Sequence, residues 1–201
     1  RKDMVVAVNG YRKTVGEDMD LVMRLHRHCR DHAIPYKIIF VPDPVCWTQA
    51  PFKLGMLLKQ RNRWHRGMID ALLANRAMIL NRKYGATSLI GISYFVFVEL
   101  LGPLIELFGY IAVPILYFFG MLNLQFFVML VLLAVFWGIS INVDAVFLDI
   151  YNFRRYKKTS DILRLCVLSA AEFFGYRQIM LLERLRATIT FRKKDWGAQD
   201  R

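Results

Sequence analysis

Gln60, Arg63, Trp64 and Gly67 fall at i, i+3, i+4 and i+7, a spacing that stacks all four along one face of a helix. Such a stripe offers an amide, a planar guanidinium, an indole and a gap. The guanidinium can grip a diphosphate with a fork of donors, and the indole gives a sugar ring a flat surface. The glycine admits a ligand or a neighbouring backbone. The same residues also suit an amphipathic helix whose Arg and Trp sit among lipid headgroups. A second candidate is Glu17-Asp18. Held at a helix start, where the dipole and free N–H groups favour ionised carboxylates, Asp18 could take a proton from a sugar hydroxyl as general base. The structural alternative is that Glu17 completes a capping box, Thr14-Val15-Gly16-Glu17, and Asp18 complements the dipole.

Other chemistry-bearing residues form weaker patterns. Asp18 and Asp20 would make a metal pair only if they converged, and alternate helix positions point well apart. His26, His28, Cys29 and His32 lack an evident third ligand at useful spacing, so a solvated helix face is the favoured reading. Glu99 and Glu106, seven apart in an apolar segment, and Asp144 and Asp149 in the next one fit either a lined path for a polar polymer or interfacial placement. Cys29, Cys46 and Cys166 share no ligand spacing and read as buried thiols in a reducing compartment.

The elements that must position these residues divide into a polar part and an apolar part. Asp3 to Val8, closed by Asn9-Gly10, is expected to be a buried strand. Leu21, Leu25 and Cys29 then recur at helical spacing up to about His32. Ile38 to Val41 is expected to be a second strand, closed by Pro42-Asp43-Pro44, and Pro51 to about Asn81 provides one or two helices.

From Tyr84 to Phe153 the chain runs seventy residues without Lys or Arg, although it holds 28 of them and carries a formal net charge of +12. Together with 56% hydrophobic residues and a mean hydropathy of +0.30, this indicates an integral membrane chain. One crossing needs roughly 20 residues, so two fit, with an outer turn at Gly120-Met121-Leu122-Asn123. Phe126 to Ile150 is the cleaner span. Gly102-Pro103 and Pro114 interrupt the first, Leu89 to Phe119, part of which could lie along the membrane or re-enter. Cations flank the gap on both sides, placing both ends of the chain in the cytoplasm. Ile162 to Leu182 is expected to lie at the inner interface, because a crossing would put Arg192-Lys193-Lys194 outside. Positive charge beside apolar spans also argues against nucleic acid as the partner.

Gly16-Glu17-Asp18, then Gln60-Arg61-Asn62-Arg63-Trp64, then paired spans resembles the C-terminal half of membrane-embedded family 2 glycosyltransferases, such as the cellulose, hyaluronan and poly-N-acetylglucosamine synthases. The resemblance implies an α/β remnant, the C-terminal part of a GT-A-like nucleotide-sugar transferase domain, at 1–50. Interfacial helices follow at 51–87, two transmembrane helices at 88–153 and a cytoplasmic helical tail at 154–201. It implies inverting transfer from a UDP-sugar of the N-acetylglucosamine or glucose type to a growing polysaccharide at the inner face of the plasma membrane. By the same resemblance Asp18 is the general base and Glu17 positions the acceptor, while Gln60, Arg63 and Trp64 bind the acceptor sugar and the donor diphosphate. A divalent metal, Mg or Mn, is implied as cofactor, held mainly by a preceding nucleotide-binding half.

Only fifteen residues precede Gly16, so the chain is expected to be a C-terminal fragment without transferase activity by itself. Two other readings remain open. One is transfer of a single sugar to a lipid carrier; the other is a non-catalytic part of a channel or transporter whose basic segments bind anionic lipid.

Overall fold

The computed structural model describes residues 1–39, 41, 46, 48–153 and 158–192. It divides into two compact units, residues 1–105 with 183–201, and residues 106–182.

The first unit opens with a helix where a strand was expected: α1 spans Lys2–Ala7. A short apolar run has no period that separates strand from helix, and a strand needs a ladder partner for its N–H and C=O groups. No strand occurs among the described residues, so the α/β remnant is not borne out: the regular elements of 1–50 are helices. Ile38, Ile39 and Val41 lie in irregular chain, while Phe40 and Pro42-Asp43-Pro44 fall outside the described residues. Asn9 and Gly10 stop α1 by adopting φ of 61° and 65°, their amides returning to the carbonyls of Val6 and Val5.

Helix α2 spans Glu17–Asp31 and α3 spans Leu54–Ala74. The capping box does not form. Gly16 is the N-cap, and the Thr14 hydroxyl donates to Asp70 instead, 2.5 Å away. Met23 of α2 meets Met68, Ile69, Ala71 and Leu72 of α3 in a core closed by Met78, Tyr84 and Ile92. Two short 3-10 turns, Arg76–Met78 and Arg82–Tyr84, carry the chain away from α3. Lys83 and Tyr84 both bond Asp31 at the end of α2, which pins this connection to the core.

At the centre of this packing lies Asp20, with no exposed surface. Its carboxylate accepts from Arg24 Nε at 2.8 Å and from Asn75 Nδ2 at 3.2 Å, and Arg12 Nε stands 3.3 Å away. Arg24 also donates to the carbonyls of Val8 and Gly10. One buried carboxylate thereby fixes the loop before α2, the helix itself and the end of α3. Charge pairing and hydrogen bonding together offset the cost of burying it.

The apolar helices begin with two π-helical turns, Thr87–Ile92 and Phe95–Leu100. A bend at Leu101 leads into α4, Gly102–Phe118, which keeps Pro114 inside it. Residues Thr87–Phe118 together are long and apolar enough to cross a membrane. So the interruptions expected at Gly102-Pro103 and Pro114 bend or perturb this element without dividing it.

In the second unit, Gly120 at φ 66° turns the chain into α5, Leu124–Phe153, the other helix of spanning length. None of the apolar window of α5 is buried by protein, and Phe126, Met129, Leu133, Phe136 and Trp137 stand exposed. An apolar surface of that extent requires lipid or a partner. α6, Thr159–Ala171, and α7, Tyr176–Ile189, follow with a 56° bend between them. Asn142 Nδ2 of α5 donates to the Ser169 carbonyl of α6, and Glu106 pairs with Arg177 at 3.6 Å.

Asp20→Ala removes the acceptor of Arg24 and Asn75 and the counter-charge of Arg12. Breaking a buried pair in this way costs about 3–5 kcal/mol, to be read as a loss of thermal stability in detergent or nanodiscs. Unchanged unfolding would show that the carboxylate is not the anchor.

Candidate active site

The acidic start of α2 reaches α3 through two glycines. A Cβ on Gly67 would lie 2.7 Å from the Gly16 Cα, and one on Gly16 would lie 2.7 Å from the Gly67 backbone. No side chain fits at either position. Gly67 is three residues beyond Trp64, so about 4.5 Å of rise along α3 separates the indole-bearing residue from the glycine that meets Gly16.

Around this crossing the candidate residues differ in exposure. Asp18 is exposed, with Oδ1 accepting from the Met19 amide at 2.8 Å, and Glu17 is half-buried. Together with Tyr11, Arg12, Lys13 and Thr14 they line an open cleft of about 490 Å³. On α3, Gln60 and Arg63 are half-buried, and Trp64 is 50% exposed with the Arg61 guanidinium over its ring at 4.9 Å. An accessible carboxylate, an accessible indole and a half-buried guanidinium thus belong to two helices locked together at their glycines. The cleft itself is lined from the loop before α2 and its first turn, and none of Gln60, Arg63 and Trp64 is among its lining residues.

Sequence reasoning missed the residues that hold the crossing in place. Arg12 Nη2 donates to Asp70 Oδ2 at 2.6 Å, the oxygen that also accepts from Thr14. Asp70 continues the α3 stripe three residues beyond Gly67, a spacing that was available as a signal. Asp20 and Arg24, an i, i+4 acid–base pair, were equally visible. No local signal could have shown the opposite face of α3. There Asn62 Nδ2 donates to Glu183 Oε1 at 2.7 Å, and His65 Nε2 lies 3.0 Å from Thr188 Oγ1.

The described residues do not make a metal site. Asp20 is engaged by two arginines and Asn75, Asp70 by Arg12 and Thr14, and Asp18 is exposed. Among the described residues no three His, Cys, Asp or Glu side chains come together to hold an ion. The histidines of α2 have other partners: His26 Nδ1 meets the Tyr36 hydroxyl at 2.7 Å, and His32 Nδ1 meets the His28 carbonyl at 2.9 Å. Of the cysteines, Cys29 is buried as expected. Cys46 is exposed and Cys166 half-buried, which corrects the reading of all three as buried thiols. Glu99, weighed as part of a polymer path, forms an ion pair with Arg184 of α7.

His65 is 5% exposed, and burial pushes its imidazole down from 6.5 to about 4, helped by the Arg184 charge and opposed by Glu99. A folded pKa below the unfolded value means that the unfolded chain binds the proton better. The stability due to neutral His65 is therefore complete above about pH 6.5 and is lost as pH falls towards 4.

A sequence model described as "Glycosyl transferase family group 2" matches residues 1–140. Over 69 residues, 34% of its length, the chain is 39% identical to Chitin synthase IV of Metarhizium acridum and 38% identical to Chitin synthase 4 of Verticillium dahliae, covering 5% of each. It is 36% identical to Chitin synthase C of Emericella nidulans over the same length, 6% of that protein. The chain thus spans about one-twentieth of the length of these curated relatives. No solved structure matches it.

Two outcomes follow from the geometry. Gly67→Ala forces a Cβ into the Gly16 backbone and is expected to destabilise the protein by about 1–3 kcal/mol, seen as a lower unfolding temperature; an unshifted temperature would mean the helices part freely. Acidification from pH 7 to pH 4.5 is expected to cost the wild type more stability than His65→Gln, by up to about 3 kcal/mol. Parallel pH profiles for the two proteins would contradict a buried neutral imidazole.

Proposed function

The chain belongs to glycosyl transferase family group 2, and we propose that it forms the acceptor-facing part of a membrane enzyme that moves a sugar from a UDP-sugar onto a growing polysaccharide. The curated relatives are named chitin synthases, not cellulose, hyaluronan or poly-N-acetylglucosamine synthases, which favours N-acetylglucosamine as the transferred sugar. The reading is supported above all by the close contact of Gly16 with Gly67, because it packs the residue before Glu17-Asp18 against the helix that carries Gln60, Arg63 and Trp64.

In this reading the acceptor sugar stacks on Trp64 and its terminal hydroxyl meets Asp18, with Glu17 and Gln60 setting its orientation. The hydroxyl oxygen attacks the anomeric carbon from the face opposite UDP, so the configuration inverts. As the new C–O bond forms, the bond to the diphosphate oxygen breaks and the hydroxyl proton passes to the Asp18 carboxylate. Arg63 offsets the charge that develops on the departing diphosphate. A divalent metal would add to that compensation when bound; among the described residues no three His, Cys, Asp or Glu side chains come together to hold it. The site works at the inner face of the cell membrane, with Thr87–Phe118 and Leu124–Asn152 crossing it and both ends of the chain cytoplasmic.

The test is sugar transfer by the full-length protein in membranes, with several UDP-sugars offered and product length recorded. Asp18→Asn is expected to lower kcat by about 10²–10⁴-fold with little change in the donor KM, and Arg63→Lys to lower kcat by losing the planar fork. Undiminished turnover by Asp18→Asn would remove this carboxylate from the mechanism. Transfer of one sugar only, to a lipid carrier, would replace the polysaccharide acceptor.

A further inference from the structure

Two residues beside Arg63 and Trp64 face away from the substrate stripe. At 100° per residue, Asn62 and His65 lie on the side of α3 opposite Gln60, Arg63, Trp64 and Gly67. Both bond the last two turns of α7, more than a hundred residues further along the chain. Glu183, whose side chain is 10% exposed, accepts from Asn62 at 2.7 Å. Thr188 meets His65 at 3.0 Å.

The direction of the second bond is fixed by its surroundings. The Thr188 hydroxyl donates its one proton to the Arg184 carbonyl at 2.9 Å, so its oxygen can only accept from His65. His65 is accordingly the Nε2–H tautomer, with the proton aimed at α7. Arg184 in turn pairs with Glu99, and Arg186 lies 3.7 Å from Glu183. The anchoring face of α3 therefore meets a surface whose own groups are already held.

Resting on the proposed glycosyl transfer, we propose that Glu183 and Thr188 are positioning residues that fix the rotation of α3 about its axis and so aim Arg63 and Trp64 at the acceptor and the diphosphate. Gly67, Asp70 and Asn75 hold the second half of α3 on the α2 side, and the end of α7 holds the helix beside Arg63 and Trp64. A helix gripped from Gly67 onward can still twist over the turn before it. Anchors at Asn62 and His65, three residues apart, resist that rotation while leaving the stripe clear. Misplacement of about 1 Å at a reacting group can cost on the order of 10²-fold in rate, so a small roll of α3 would be felt in turnover.

The experiment compares Thr188→Val and Glu183→Ala with the conservative Thr188→Ser and Glu183→Gln, which keep the accepting oxygen. Each is measured for kcat, for donor KM and for amide exchange along residues 17–31 and 60–67 in the intact membrane protein. The expected result is a kcat lowered about tenfold or more in the first pair, with donor KM within about twofold of the wild type. Exchange should quicken over 60–67 and stay unchanged over 17–31, and the conservative pair should resemble the wild type. Unchanged exchange over 60–67, full turnover despite faster exchange, or equal losses in the conservative pair would each overturn the proposal. Absence of transfer by the full-length wild type with every UDP-sugar would sink the glycosyl-transfer reading instead, and exchange would then decide the clamp by itself.

Discussion

The contact of two glycine backbones organises this chain. Gly16 ends the loop that leads into α2, Gly67 lies in the middle of α3, and neither can carry even a methyl group without displacing main chain. Close approach of this kind gives up side-chain packing at the crossing. Neighbouring polar anchors make it stable: Asp20 gathers Arg12, Arg24 and Asn75, and Asp70 gathers Arg12 and Thr14. Arg12 serves both carboxylates, so the loop that lines the cleft with Glu17 and Asp18 is tied to both helices at once. Polar networks of this kind favour one arrangement, since each partner lost leaves another group unpaired in low dielectric.

The balance of effects differs along the chain. In the first unit, shape is set by a small apolar core and buried charge pairs within a largely polar sequence. Along α5 the balance reverses, and large apolar side chains face outward with almost no protein against them. Water would penalise that surface heavily, and lipid does not. The same stretch has no cation across seventy residues, which agrees with a surrounding where a bare ammonium or guanidinium is costly.

Much of this was legible in the residues. Leu21, Leu25 and Cys29 marked α2, the i, i+3, i+4, i+7 stripe lies on α3 with Gly67 open to a neighbouring backbone, and the cation-free stretch marked the apolar helices. Asp3 to Val8 was misread because six apolar-rich residues satisfy either period, and α1 closes its own hydrogen bonds where no strand is beside it. Thr14 was misread as a cap because α2 starts behind Gly16, and the Thr14 hydroxyl donates to a tertiary acceptor, Asp70, where a cap would accept from a helix amide. The links from Asn62 to Glu183 and from His65 to Thr188 join positions more than a hundred residues apart. One sequence carries no local signal for pairs of that separation.

The central claim is that the start of α2 and the exposed stripe of α3 act on one ligand. A double-mutant cycle on sugar transfer, pairing Asp18→Asn with Trp64→Ala, tests it most directly. Groups that serve a single transition state give non-additive losses, so the doubly altered protein is predicted to be little worse than the poorer single variant. Losses that simply multiply would show that the carboxylate and the indole act independently, and the account would fail.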